Sequence, residues 1–295
     1  MAWTTAERRR YAPAIQEIVR QGMLVRLAAM VDAIHPPTSI GRPRLWSTLV
    51  MLQALWHVAR DDRAWRRLPS GAPPHQTVWS RLKSWRQQAV LERALRVLVT
   101  CRRLAAGRKR WSTAAVVDTQ SVRTGPQRGP RGYDAHKKIP IGLPPAGRFR
   151  CADRIDGSAV DGRKRVLMID TEGDPLGVRV VSAEVQDRDA LHALAPDRDV
   201  HASLLLVWMD RAFAGDDPAA FLRTYGIVPE LVGTLGRKGF QIEPRRWKIE
   251  QTFGCLQRYR RLRVDDEMSH DTSRQMTVLA SVFMIGMRLQ RDLQS

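Results

Sequence analysis

Ala114-Ala115-Val116-Val117-Asp118 and Leu204-Leu205-Leu206-Val207-Trp208-Met209-Asp210 decide how this 295-residue chain folds. Each is an apolar run too short for a typical helix, and each ends on an aspartate. A run that is apolar at every position is a strand covered on both faces, and a carboxylate at its end is costly unless something compensates its charge. Working outward, Val166-Leu167-Met168-Ile169 and Val178 to Val185 read as two more strands. The turn Thr171-Glu172-Gly173-Asp174 between them makes an antiparallel hairpin. Helices are expected from Asp189 through Leu194, from Pro218 to Tyr225 and from Trp247 to Leu262, with a strand from Leu231 to Leu235. A hairpin followed by alternating strands and helices predicts an α/β domain with a mixed central sheet and flanking helices.

The residues before this domain read differently, and the change near Gly107-Arg108-Lys109-Arg110 sets the expected domains at 1–110 and 111–295. Thr4 and Glu7 fit a capping box ahead of Ile15, Ile18, Val19 and Leu24 at helical spacing. Leu45, Leu49, Leu52, Leu55 and Trp56 give a second amphipathic helix that stops near Asp61. After the breaker cluster Pro69-Ser70-Gly71-Ala72-Pro73-Pro74, Thr77 can cap a helix with Val78, Trp79, Leu82 and Trp85 inward and Arg81, Lys83 and Arg86 outward. This is an all-α, helix-turn-helix-like arrangement whose basic face suits DNA phosphates. Gly41-Arg42-Pro43-Arg44 reads as a loop before a helix, with an arginine that could enter a narrow minor groove as the other reading.

Charge supports a polyanionic partner. Lys and Arg number 49 against 30 Asp and Glu, a net charge of +19. Residues 1–113 hold 21 of the basic and only 6 of the acidic residues, so the excess is concentrated there. Composition near the globular average argues against wholesale disorder. The longest apolar run, Met276 to Met287, is too short to span a membrane, and no secretory signal is expected. Cys101, Cys151 and Cys255 are scattered, which favours a reducing, cytoplasmic setting over disulfides or zinc.

A third acid, Glu250, lies on the expected long helix beside its apolar stripe of Ile249, Phe253 and Leu256. Three converging carboxylates in so basic a chain suggest hard divalent cations and phosphoryl displacement. Asp170 and Asp187 read instead as turn and cap residues.

Ordered blocks along the chain resemble the DDE transposases of bacterial insertion sequences, in particular the insertion sequence five group. They are Val117-Asp118-Thr119-Gln120-Ser121-Val122-Arg123-Thr124, Arg131-Gly132-Tyr133-Asp134-Ala135-His136-Lys137-Lys138, Gly162-Arg163-Lys164-Arg165, Val185-Gln186-Asp187-Arg188-Asp189, Asp210-Arg211-Ala212-Phe213-Ala214-Gly215 and Arg245-Arg246-Trp247-Lys248-Ile249-Glu250. Asp118 and Asp210 are 92 residues apart and Glu250 follows after a further 40, spacings similar to the group's. A Pro- and Gly-bearing stretch between Lys138 and Asp161 is longer than the group's link.

The resemblance implies an RNase H-like catalytic core with a mixed five-stranded sheet. It also implies a catalytic and metal-binding set of Asp118, Asp210 and Glu250 holding two Mg²⁺ ions, with Mn²⁺ able to substitute. Arg246, one turn before Glu250, is placed to grip phosphate; Arg258 is a candidate by proximity only, because the related superfamily's basic position falls on Gln257. Lys137 and Lys138 join Arg81, Lys83 and Arg86 as phosphate contacts. The implied activity is binding of terminal inverted repeats, strand cleavage and strand transfer into target double-stranded DNA. The implied partner set includes a homodimer or larger synaptic assembly and no membrane, and the implied location is the bacterial nucleoid. The competing expectations are a catalytically inactive, transposase-derived DNA-binding protein and, less well matched, an RNA-cleaving enzyme of the same fold.

Overall fold

Parallel pairing of the apolar runs that lead into Asp118 and Asp210 organises the second half of the chain. The computed structural model describes residues 5–37, 44–126, 129–133, 161–194, 202–232 and 244–292. Its sheet contains β1 (Ala114–Arg123), β2 (Gly132–Tyr133), β3 (Asp161–Asp170), β4 (Pro175–Ser182), β5 (Leu206–Met209) and β6 (Val228–Leu231). β1 pairs antiparallel with β3 and parallel with β5; β3 also pairs antiparallel with β4, and β5 pairs parallel with β6. The two-residue β2 adds to the start of β3, leaving five strands of substantial length in a mixed sheet. With its flanking helices this is the RNase H-like α/β architecture that the resemblance implied.

The helices are α1 (Thr5–Ile34), α2 (Thr48–Asp61), α3 (His75–Gln87), α4 (Val90–Ala105), α5 (Asp187–Ala190), α6 (Asp216–Arg223), α7 (Pro244–Leu256) and α8 (His270–Asp292). Two compact units result. One comprises Met1–Trp111, Cys255–Arg261 and Gln275–Ser295, and the other Ser112–Gly254 and Leu262–Arg274. A single cut at residue 110 therefore differs from the observed grouping, because most of α8 groups with the N-terminal helices. The reason is apolar burial: Met276, Leu279, Phe283 and Ile285 of α8 are at most 1% exposed. Gly286 lets α8 approach Met23 of α1, where an added Cβ would lie 3.0 Å from Met23 Cγ.

Sequence signals failed where local chemistry was ambiguous. Leu45 is 82% exposed and precedes α2, whose cap is Ser47, its hydroxyl accepting from the Val50 amide. The Thr4 cap and residues 41–43 of the Gly-Arg-Pro loop lie outside the described residues. Thr77 is inside α3, which begins after Pro74, and Trp79 faces outward, edge-on to Trp65 at 5.2 Å, while Val78, Leu82 and Trp85 are buried. β5 starts two residues late, with Leu205 exposed; β6 precedes its expected position; α7 stops at Leu256, not Leu262. The β3–β4 turn is as expected: Gly173 takes φ +81°, and the Asp170 carboxylate accepts from the Glu172 and Asp174 amides at 2.9 and 3.0 Å.

Candidate active site

Register brings the two strand-borne acids together. Val116 lies opposite Trp208 and Val117 opposite Met209 in the β1–β5 ladder. One step beyond the last rung come Asp118 and Asp210. Side chains alternate along strands, so both acids share the sheet face of Val116 and Trp208. Both are half-buried, whereas Val116 and Val117 are 3% and 1% exposed and Met209 is 1% exposed. Contrary to expectation, β1 does not end at Asp118: it continues to Arg123 along β3, and only its pairing with β5 ends there.

Local hydrogen bonds fix each carboxylate. Asp118 Oδ1 accepts from the Thr119 amide at 2.7 Å. Asp210 caps the following short 3-10 turn, its Oδ1 accepting from the Ala212 amide at 2.9 Å. On the opposite face, the Thr119 hydroxyl donates to Asp187 at 2.7 Å, and Lys164 Nζ lies 2.7 Å from the same carboxylate oxygen. Lys164 Nζ also donates to the Val185 carbonyl at 2.6 Å. Asp187 is thus a half-buried tie between β1, β3 and α5. The cap of α5 is Gln186, so reading Asp187 as a helix cap missed its role. No local pattern says that Thr119, Lys164 and Asp187, so far apart in the chain, meet.

Glu250 does not join the pair. Ile249, Phe253 and Leu256 of α7 are buried as the stripe predicted, at 1%, 7% and 3% exposure. Thr252 anchors the same helix, its hydroxyl 2.9 Å from the Gly173 carbonyl. Glu250 lies outside that stripe and is exposed. Among the described residues no group of three or more His, Cys, Asp or Glu is gathered closely enough to hold a metal ion. Hard carboxylate oxygens at adjacent strand ends suit a divalent cation; the third expected ligand does not complete the set in this conformation. An acid not anticipated from the sequence, Glu230 on β6, lies opposite Trp208 and accepts from its indole nitrogen at 2.9 Å.

The remaining candidates divide as follows. Lys137 and Lys138, and the side chain of Arg246, lie outside the described residues. Arg81, Lys83 and Arg86 sit on α3, Lys83 fully outward and the two arginines half-buried. Arg258 is exposed and belongs to the first unit, where its carbonyl accepts from Arg60 at 2.8 Å. No described helix is long and apolar enough to cross a membrane.

Comparison with known proteins bears on this geometry. A family model described as "Putative transposase of IS4/5 family" matches residues 25–95, which include α2 and α3. A curated relative from Burkholderia cepacia, "Putative transposase for insertion sequence element IS402", is 27% identical over 183 residues, covering 59% of this chain and 85% of the relative. No solved structure matches. A family model described as "Transposase DDE domain" matches residues 112–285, a span that takes in the whole sheet and all three acids. It covers more than half of the chain, which therefore belongs to the DDE-domain transposases.

Proposed function

We propose that this protein is a DNA transposase that binds the terminal inverted repeats of an insertion sequence and catalyses metal-dependent cleavage and transfer of their strands. The observation that carries the reading is the Asp118–Asp210 pair, two half-buried carboxylates one step past the last rung between neighbouring parallel strands. Asp118 and Asp210 are the residues that would hold a divalent cation, Mg²⁺ or Mn²⁺, which when bound acidifies a nucleophilic water or hydroxyl and offsets charge on the scissile phosphate. The chain itself holds the two acids at fixed spacing on a rigid sheet, and the Thr119–Asp187–Lys164 tie holds β1 in place beneath them. A two-ion site needs Glu250 as a third donor, so the active reading requires α7 to turn Glu250 toward the pair when DNA is seated. Synapsis of two DNA ends calls for a homodimer or larger assembly, working on the bacterial nucleoid in the cytoplasm.

That no three-acid group is gathered among the described residues favours a second reading, a transposase-derived DNA-binding protein without turnover. Purified protein, Mg²⁺ and a duplex carrying the matching inverted repeats separate the two. The active reading expects nicking by wild type, and Asp118→Asn reducing it by several orders of magnitude with repeat binding unchanged. A wild-type protein that shifts the duplex but never nicks it supports the second reading. Nicking that survives Asp118→Asn removes the site assignment.

A further inference from the structure

Along α3 the buried and the outward residues separate by face. Val78, Leu82 and Trp85 are at most 1% exposed and hold the helix to the rest of the first unit, and Gln275 of α8 donates its side-chain amide to the Leu82 carbonyl. Gln76, Trp79, Ser80, Lys83 and Gln87 are all exposed. At about 3.6 residues per turn, Gln76, Ser80 and Gln87 fall along one line of the helix, and Trp79 and Lys83 along the next. Trp79 is 36% exposed, and Trp65 packs edge-on against its ring at 5.2 Å, so an apolar surface is kept facing outward in a fixed position. Trp65 opens the short 3-10 turn Trp65–Arg67, and the exposed Arg66 and Arg67 follow it directly. From Arg63 to Leu91 the chain holds six Lys or Arg and no Asp or Glu.

We propose that this outward face reads base edges in the major groove of duplex DNA, with Gln76 and Ser80 as the hydrogen-bonding pair and Trp79 against a thymine methyl. An α-helix fits that groove, and only there does each base pair present its own pattern of donors, acceptors and methyl groups. A glutamine amide matches adenine N6 and N7 with one acceptor and one donor, and a serine hydroxyl can serve either kind of partner. The line from Gln76 to Gln87 rises about 16 Å, the length of about five stacked base pairs. Neutral hydrogen-bonding groups run along the middle of the face, and Lys83 stands to one side, an order that matches base edges bordered by phosphates. A face built for an acidic protein would carry its cations along the middle line instead. The inference rests on the DNA-binding reading and adds to it the side chains that carry sequence preference, which phosphate contacts position but do not supply.

Binding of the full chain is measured on the duplex that it enriches from a random-sequence pool and on a shuffled version of that duplex. Wild type should prefer the enriched duplex. Gln76→Ala should lower that preference about tenfold and Ser80→Ala about fivefold, with binding to the shuffled duplex and the melting temperature unchanged, since both positions are exposed. Lys83→Gln should weaken both duplexes alike and keep the preference. Replacing thymine by uracil, which lacks the methyl, should weaken wild type and leave Trp79→Ala unaffected; an equal cost in both removes Trp79 from the face. A wild type that binds no duplex defeats the DNA-binding reading and this inference with it. A wild type that binds every duplex equally, or a Gln76→Ala variant that keeps the full preference, overturns the base-reading face alone.

Discussion

Asp265 is 2% exposed and faces arginines that are themselves buried. Its carboxylate accepts from Arg163 at 3.0 Å, from the Ser273 hydroxyl and from the Glu267 amide at 3.1 Å, while its carbonyl accepts from Gly125. Arg163 also donates to the Pro130 carbonyl at 2.9 Å, and Arg165 to the Leu262 carbonyl at 2.7 Å. Burial pushes Arg165 below the usual guanidinium range, which Asp265 opposes and Arg163 reinforces. Gly162-Arg163-Lys164-Arg165 reads in sequence as a basic block, yet all three side chains turn inward and tie strands to loops. Removing one partner of such a pair strands a desolvated charge, so Asp265→Ala should cost about 3–5 kcal/mol in denaturant unfolding. Replacing Arg163 and Asp265 together by methionine should recover part of that loss. A single-variant cost below about 1 kcal/mol would mean that water reaches the pair and screens it.

Elements were legible where burial followed a simple period. The apolar runs before Asp118 and Asp210, the β3–β4 hairpin and the Ile249–Phe253–Leu256 stripe all carry their packing in local pattern, because a covered strand or helix face admits only apolar residues. That Asp118 and Asp210 each follow an apolar run was equally legible; that the two runs are parallel neighbours was not, because similar composition does not fix which strands pair. Glu250 was not: a stripe fixes which residues of α7 are buried, but not how far an acid at its margin turns. Most of α8 was passed over, because its polar residues Thr277 and Ser281 are buried by bonding along their own helix or to neighbours; the Ser281 hydroxyl donates to the Thr277 carbonyl at 2.9 Å. The start of α8 also carries a pH response. Burial pushes the His270 imidazole below its ordinary value of 6.5, with Arg163 adding to the effect, while Asp265, Asp271 and the Pro130 carbonyl oppose it. A depressed folded value means that the unfolded chain takes up the proton first, so stability is full above about 6.5 and falls as pH drops through the depressed value. His270→Asn should flatten that acid limb, read as unfolding free energy against pH. An unchanged slope would assign the limb to other groups, among them His35, which burial and Arg44 also depress.

At the scale of the molecule, charge is unevenly placed: +19 overall, with 21 basic and 6 acidic residues in the first 113 positions. Neutralising phosphates releases counterions, so duplex affinity should fall linearly with the logarithm of salt concentration, with a slope near 0.9 per phosphate contact. α3 offers three basic side chains to that count, but they are not equivalent. Arg81 is half-buried, and burial lowers it from the usual range, the neighbouring Arg44 lowers it further and Asp32 opposes. Lys83 is exposed. Lys83→Gln should therefore reduce the slope by about 0.9 and weaken binding alike on repeat and unrelated duplexes, as expected of a backbone contact. Arg81→Gln should change the slope less and stability more. If the slope stays the same in Lys83→Gln, α3 does not meet phosphate, and the excess charge acts through another face of the first unit.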